Sequence, residues 1–491
     1  MAAESRARVD GGTRIGILMT YRASSALIGA PHKNSDAGWK CCSGGACFMR
    51  HIRNLRRFAP GVVIPVLALA GAGEASAGGF GLREQSSYYQ GTSFAGVAAG
   101  GWGLASMYWN PAAISFVPGL QVEGNVSYVA PHASIDVNRA TAPITGTNLG
   151  TFGVSDIVDN AAIPAMYASY AWERWAVGVS VNAPFGLVTD APCNWSGRFY
   201  GCYSRIYDVN VQGNVAYKVN DWLVIGGGVS VNYMDARLNQ AQINGVSTAG
   251  PVLGTGQVDG DDVGLGFSLG ALFTLAPGTT LGIGYRSSID LNLTGQVSVY
   301  APTGQNLAMF PANAGLTLPD QVTASFRSQL NPQWTVSGTV EWTNWSSLQK
   351  LVVVPQGASI SVLDLGWRDG WFFSGGVEYQ WDPRLALRTG LAYEISPVTD
   401  DVRNPRLPDS NRIWLSVGAT YAWTNQLSMD LAYTHIFGQS GSINLSPADP
   451  ANALRGSLSA QVSDAYVDIV SVALRYKFDA PQPTAVALIT K

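Results

Sequence analysis

The chain has 491 residues, of which 47% are hydrophobic, only 13% are charged and 56 are glycine, with a formal net charge of -3. Such a charge density is low for a soluble protein of this length, and a near-neutral balance gives no ground for a nucleic-acid partner, which would need a basic surface. No uninterrupted apolar run of about 18 residues or more occurs, which argues against a helical membrane span, and the other structure that satisfies every backbone group in lipid is a closed β-barrel.

In chain order, residues 1–48 show few regular apolar patterns. They precede the basic cluster Arg50, His51, Arg53, Arg56 and Arg57, an apolar run from Phe58 to Ala72 broken by Pro60 and Pro65, and the small residues Ala75, Ser76 and Ala77. That order is the n-region, h-region and cleavage site of a secretory signal. Residues 49–77 are therefore expected to be a signal peptide starting at Met49, and residues 1–48 an upstream extension outside the fold. The competing reading, a cytoplasmic N-terminal domain, would bury little core in so short a segment. Cys41, Cys42 and Cys47 fall in the extension, which leaves Cys193 and Cys202 in the mature chain. Their spacing within one loop suggests a disulfide, permitted by an oxidising periplasm. Two thiolates with no histidine nearby do not close a zinc site.

Residues 78–118 are rich in Gly, Ser and Ala and lack sustained alternation. From Leu120 onward, period-2 alternation and turn signals predict fourteen strands, beginning near residues 120, 162, 174, 204, 221, 261, 278, 317, 333, 368, 384, 410, 426 and 465. Short and long connections alternate. The short ones are Glu173-Arg174, Asn220-Asp221, Pro277-Gly278, Asn331-Pro332, Asp382-Pro383 and Thr424-Asn425; the long ones are 132–161, 185–203, 237–260, 297–316, 347–367, 397–409 and 438–463. This pattern predicts an up-and-down antiparallel barrel with short periplasmic turns, long outer loops and both termini periplasmic. In the eleventh strand Leu385, Leu387, Leu391, Tyr393 and Ile395 share one face, and Arg384, Arg388 and Glu394 the other. A soluble sandwich would alternate too. The tryptophans decide between them, because Trp172, Trp175, Trp222, Trp334, Trp381 and Trp423 all sit near short turns, where a membrane-interface girdle belongs.

A fourteen-stranded lumen is too wide to be filled by wall side chains, so residues 78–118 are expected to form a hatch inside it, with Gly100, Gly101, Gly103 and Ala105 allowing close packing. Asn110-Pro111-Ala112 is a turn signal within it. Asn182, Pro184, Phe185 and Gly186 end the third strand, where a proline that cannot donate and a nearby glycine favour a bulge. Two outcomes stay open there: a lateral opening in the wall, or a plain strand end above the membrane.

Several segments then carry a resemblance: Gly79-Phe80, Asn110-Pro111-Ala112, NAPFGLVT from Asn182 to Thr189, WSGRF from Trp195 to Phe199, LPDQ, NPQW and EWTNW between Leu318 and Trp345, RTGLAYEISPV from Arg388 to Val398, and LPDSNRIWLSVGATYAW from Leu407 to Trp423. In order and spacing they resemble the FadL family of outer-membrane transporters of long-chain fatty acids and aromatic hydrocarbons, over essentially the whole mature chain. The resemblance implies a fourteen-stranded barrel with an N-terminal hatch, capture of a hydrophobic ligand among the outer loops, a pocket above the hatch and lateral exit at a kinked third strand. It places Phe80 at the apolar hatch position. Arg237 and Lys350 lie a few residues from the family's basic positions, and the competing reading of each is a solvated charge at the base of a loop.

The expected partners are a long-chain fatty acid or other hydrophobic small molecule and the outer-membrane lipid, with no cofactor and a monomeric barrel. A lipid-hydrolysing barrel is the alternative of another class, but His132 and His435, the histidines of the mature chain, have no serine motif beside them. A diffusion porin would need a charged constriction and no hatch. The residues from 479 to Lys491, beyond the terminal aromatic Phe478, depart from the family pattern.

Overall fold

The computed structural model describes residues 78–478, apart from Trp102, Val117, Thr248, Ala249, Ala358 and Ser359. The expected extension (1–48), signal peptide (49–77) and C-terminal tail (479–491) lie outside the described residues. Fourteen antiparallel strands make the wall: β1 (Gly119–Thr141), β2 (Ala161–Trp172), β3 (Trp175–Asn182), β4 (Tyr203–Lys218), β5 (Leu223–Ser247), β6 (Gly250–Ala276), β7 (Thr279–Arg286), β8 (Gln321–Gln329), β9 (Trp334–Thr343), β10 (Gly370–Gln380), β11 (Leu385–Ile395), β12 (Arg412–Ala422), β13 (Leu427–Gly438) and β14 (Ser457–Lys477). Gly186–Asp190 continues β3 outward. Pairing of β1 with β14, from Gln121↔Lys477 to Thr141↔Ser457, closes the barrel and leaves no free edge there.

The wall is inside-out relative to a soluble core. Leu387, Leu391 and Tyr393 of β11 are exposed while Arg388 and Glu394 are buried; Phe326 of β8 is exposed against buried Thr323 and Ser325; Val470 and Leu474 of β14 are exposed against buried Ser471 and Arg475. An apolar exterior around a polar interior is what a lipid-embedded barrel requires. At the rim of short turns, the six predicted girdle tryptophans are all exposed. They pack on neighbouring rings, as Trp175 does on Tyr217 at 4.6 Å and Trp334 on Tyr379 at 4.7 Å.

The opposite rim departs from the simple loop expectation. The segment 237–260 is mostly strand, because β5 and β6 continue as one long hairpin paired out to Ser247↔Gly250. Ile289–Tyr300 pairs with Asn306–Leu318, and Lys350–Pro355 with Ser361–Asp364. Alternating sequences such as Ile289, Leu291 and Leu293 bury one face in this outer layer, so the pattern that makes strands in lipid makes them above it as well.

Residues 78–118 hydrogen-bond to inward-facing groups around much of the circumference. Ser87 N bonds Asn125 Oδ1 of β1 and Tyr167 Oη of β2 bonds Gln85 O, while Ala98 N bonds Ser325 Oγ of β8, Gly96 N bonds Thr339 Oγ1 of β9, Tyr88 Oη bonds Glu378 Oε2 of β10 and Ser93 Oγ bonds Ser416 Oγ of β12. A segment bonded to strands on opposite sides of a closed wall lies inside it. Wall glycines admit its backbone: a Cβ at Gly284 would stand 1.8 Å from Trp109 O, and one at Gly226 would stand 2.5 Å from Ala112 N. Beneath it, buried charges pair across strands, with Arg475 between Glu123 and Asp430 and Arg388 between Glu378 and Asp430.

Candidate functional site

The ladder between β2 and β3 runs from Trp172↔Trp175 to Met166↔Val181 and stops. Beyond it, Ala161–Ala165 stay paired with β1 on their other side. On its far side, β3 pairs with β4 through Asn182↔Asn210, and pairing resumes at Gly186↔Tyr207, so residues 183–185 oppose only 208 and 209. This is a one-residue bulge at Pro184, which has no N–H to give. Outward of the interruption the strands rejoin, with Val158 bridged to Thr189 and Asp190 N donating to Ile157 O at 2.8 Å.

The vacated edge is taken from inside. Leu82 N donates to Pro184 O and Gly186 N to Phe80 O, both at 2.8 Å. Asn182 Nδ2 donates to Tyr167 Oη at 2.7 Å and to Gln85 Oε1 at 3.0 Å, and Gln85 Nε2 donates to Ala183 O at 2.8 Å. Backbone groups at membrane depth must find partners within the protein, and here the N-terminal segment supplies what β2 does not.

Phe80 is buried among aromatic rings, with centroids 4.9 Å from Trp345 and 5.8 Å from both Phe185 and Trp367. Leu187, Met234, Leu316 and Leu318 complete the apolar cluster. Below it lies a cavity of about 70 Å³, bordered by Leu82, Pro184, Phe185 and Trp345 and by two arginines, Arg83 and Arg286. Arg83 lies over the Phe372 ring and pairs with Glu341 at 2.7 Å. Arg286 lies over the Tyr108 ring at 4.1 Å and, among the described residues, donates only to neutral oxygens, Tyr108 O at 2.9 Å and Gln212 Oε1 at 2.7 Å.

Phe80, Pro184 and Phe185 thus meet at one place, whereas Arg237 and Lys350 do not join them. Arg237 sits beside Arg205 and Asp259 in register, on the strand face opposite Met234 and Ala236, which belong to the Phe80 cluster. Lys350 is exposed, opposite Asp364, on a groove among the outer loops. Arg286 is the cation that sequence reasoning missed. Its parity was readable, since Gly282 and Gly284 face the lumen and exposed Ile283 faces lipid.

Asn110 is fully buried; its Oδ1 accepts from Ala112 N at 3.0 Å and its Nδ2 donates to Ala98 O and to Ala271 O of β6. The Asn110-Pro111-Ala112 turn therefore ties residues 78–118 to the wall. Cys193 and Cys202 are joined by a disulfide in the second outer loop.

A closed barrel with an outward apolar face, a filled lumen and a cavity beneath an aromatic cluster beside a broken ladder defines an outer-membrane transport barrel. The family of outer membrane protein transport proteins (OMPP1/FadL/TodX) matches residues 68–478. The chain belongs to that family and is a FadL-like outer-membrane transporter of hydrophobic compounds. It is 25% identical over 401 residues, 74% of this chain and 88% of the relative, to a long-chain fatty acid transport protein of Escherichia coli O6:H1. In fold it is similar to the crystal structure of a Pseudomonas aeruginosa FadL homologue (TM-score 0.73, 23% identity, 82% of this chain and 100% of that one). It is also similar in fold to the Pseudomonas putida toluene transporter TodX (TM-score 0.61, 16% identity, 81% and 99%).

Proposed function

We propose that the protein carries long-chain fatty acids passively across the outer membrane as a monomer. A ligand is captured among the outer loops, passes to the apolar cluster above residues 78–118, which act as a hatch, and leaves sideways into lipid at the interruption in β3. The observation that carries this reading is the meeting, at one cavity, of buried aromatic walls with Arg286, which forms no salt bridge among the described residues, Asp208 acting on it only from beyond ion-pair distance. A fatty acid brings one carboxylate, which a guanidinium binds through two parallel hydrogen bonds, and an alkyl tail that gains about 0.8 kcal/mol per methylene on leaving water. Lateral exit keeps that tail out of water.

At about 70 Å³ the cavity is well below the size of a site for a drug-sized ligand. Entry therefore requires Phe80–Leu82 to leave the edge of β3, and the same displacement unseals the break in the wall. The fatty-acid name of the Escherichia coli relative supports the substrate class. The aromatic walls favour a second reading, uptake of monoaromatic hydrocarbons such as toluene, which need no cation.

The test is uptake of labelled oleate and labelled toluene by a host lacking its own outer-membrane transporter. Oleate uptake is expected with the wild type, falling about tenfold or more in Arg286→Gln, the size of a lost charge-assisted hydrogen bond. Toluene uptake without oleate uptake, indifferent to Arg286, would replace the fatty-acid reading with the second.

A further inference from the structure

We infer that the break in the wall selects the protonation state of what leaves through it: Asn182 and Asn210 present two amide oxygens there, a site that takes an O–H head group and refuses an ionised one. The inference rests on the fatty-acid reading and deepens it, because it names the chemical form in which the acid leaves.

Asn182, 2% exposed, is the first residue of β3 beyond the end of its ladder with β2, and Asn210 of β4, fully buried, is its partner in register. Directly opposed residues carry their side chains on one face of the sheet, with Cβ atoms about 5 Å apart, and here that face is the lumen side. Among the described residues neither Asn182 Oδ1 nor Asn210 Oδ1 accepts a hydrogen bond. Ser180 Oγ, on the same face of β3, has no partner there either.

The orientation of each amide is fixed by its other bonds. Asn232 Nδ2 donates to both oxygens of Asp208, at 3.0 and 3.3 Å, which leaves Asn232 Oδ1 to accept from Asn210 Nδ2 at 2.6 Å. Turning Asn210 over would set its oxygen against that of Asn232. On the other side Tyr167 Oη gives its proton to Gln85 O at 2.8 Å, and Gln85 Nε2 donates to Leu82 O and Ala183 O. Tyr167 Oη and Gln85 Oε1 are therefore acceptors, and both accept from Asn182 Nδ2. Two chains of hydrogen bonds, one ending on a carboxylate and the other on backbone carbonyls, converge with acceptor facing acceptor. Buried acceptors are costly without a donor. Water, with two hydrogens, can bridge them while the wall is sealed.

The pair stands between the inner cavity and lipid. Arg286 donates to Gln212 Oε1, and Gln212 lies two residues from Asn210 on the same face of β4. Pro184, two residues beyond Asn182, lines the cavity itself. A carboxylate moving from Arg286 toward the break meets oxygens with no donor to offer it, and an unpaired charge in such a place is strongly disfavoured. A carboxylate that takes a proton from a hydronium ion, releasing water, gains an O–H that can donate to an amide oxygen, and a neutral molecule then enters lipid. A primary alcohol satisfies the same pair. A sulfonate, which stays ionised, does not.

The experiment measures uptake of labelled oleate, oleyl alcohol and hexadecanesulfonate by a host lacking its own outer-membrane transporter and expressing the full chain. The wild type is expected to take up the first two, and to be inhibited by the sulfonate without accumulating it. Asn210→Leu, which removes one acceptor, should lower uptake of both oleate and oleyl alcohol about tenfold, the equivalent of a lost hydrogen bond. Asn210→Thr, which returns an oxygen, should recover part of it. Because oleyl alcohol is uncharged, its loss in Asn210→Leu is not an effect of the Asp208 charge. Asp208→Asn frees Asn232 and Asn210 to turn over and offer an N–H, so the sulfonate should now accumulate. Migration of the unheated barrel on a gel checks that each variant is folded. Sulfonate uptake by the wild type equal to that of oleate, or unchanged alcohol uptake in Asn210→Leu, overturns the site and leaves the fatty-acid reading intact. A wild type that takes up no oleate overturns both.

Discussion

Strands β10 to β13 and strands β2 to β3 are built from similar alternating sequence, yet one stretch of wall is continuous and the other is broken. From Trp371↔Ile395 through Leu385↔Tyr421 to Arg412↔Gly438, each ladder in the first stretch is paired without a shift. In the second, pairing ends at Met166↔Val181 and the bulge at Pro184 turns the next residues inward. The contrast shows what a membrane barrel tolerates. A break is admissible where other chain satisfies the freed backbone, and Phe80–Leu82 do so here from within the lumen.

Removing that support should have the largest effect. Deleting residues 79–118 takes away the chain that bonds the broken edge and fills the lumen, so planar-bilayer recordings should show a steadily conducting pore where the wild type is closed. A deletion variant that inserts and does not conduct would mean the wall collapses onto its own lumen. A smaller change sharpens the comparison from the other side. Replacing Pro184 and Gly186 together with valine restores an N–H and strand-forming residues, making β3 resemble β11. Oleate uptake should fall about tenfold while surface expression is unchanged; unaltered uptake would refute the lateral route. Smallest is Asn182→Ala, which removes the bonds to Tyr167 and Gln85. It should destabilise the closed arrangement by about 1 kcal/mol, read as greater proteolytic sensitivity near residue 85 with the barrel itself intact.

The regular wall was legible in the sequence because its signals are local. Alternation fixes which face each side chain takes, and interfacial tryptophans mark the turns. The same locality explains why the site was only partly legible. Pro184 and Phe185 stand out by proline and glycine punctuation at the end of the third strand, Phe80 was placed by the family resemblance, and the three do meet. Arg237 was suggested by its nearness to the family's basic positions, but a residue one place from Ala236 faces the other way, and the hairpin that carries it puts it beside Arg205 and Asp259.

By itself, then, the sequence determined a fourteen-stranded outer-membrane barrel and its short and long rims, and it marked Pro184 as a point where the third strand either ends or breaks, consequences of side-chain period and of proline's missing donor. Only the tertiary structure decided that the N-terminal segment seals that fault, that the outer segments are paired hairpins and that Arg286 borders the inner cavity. Those outcomes depend on which distant strands pair and in what register. A contact between residues hundreds of positions apart leaves no mark on the short periods from which strands are read.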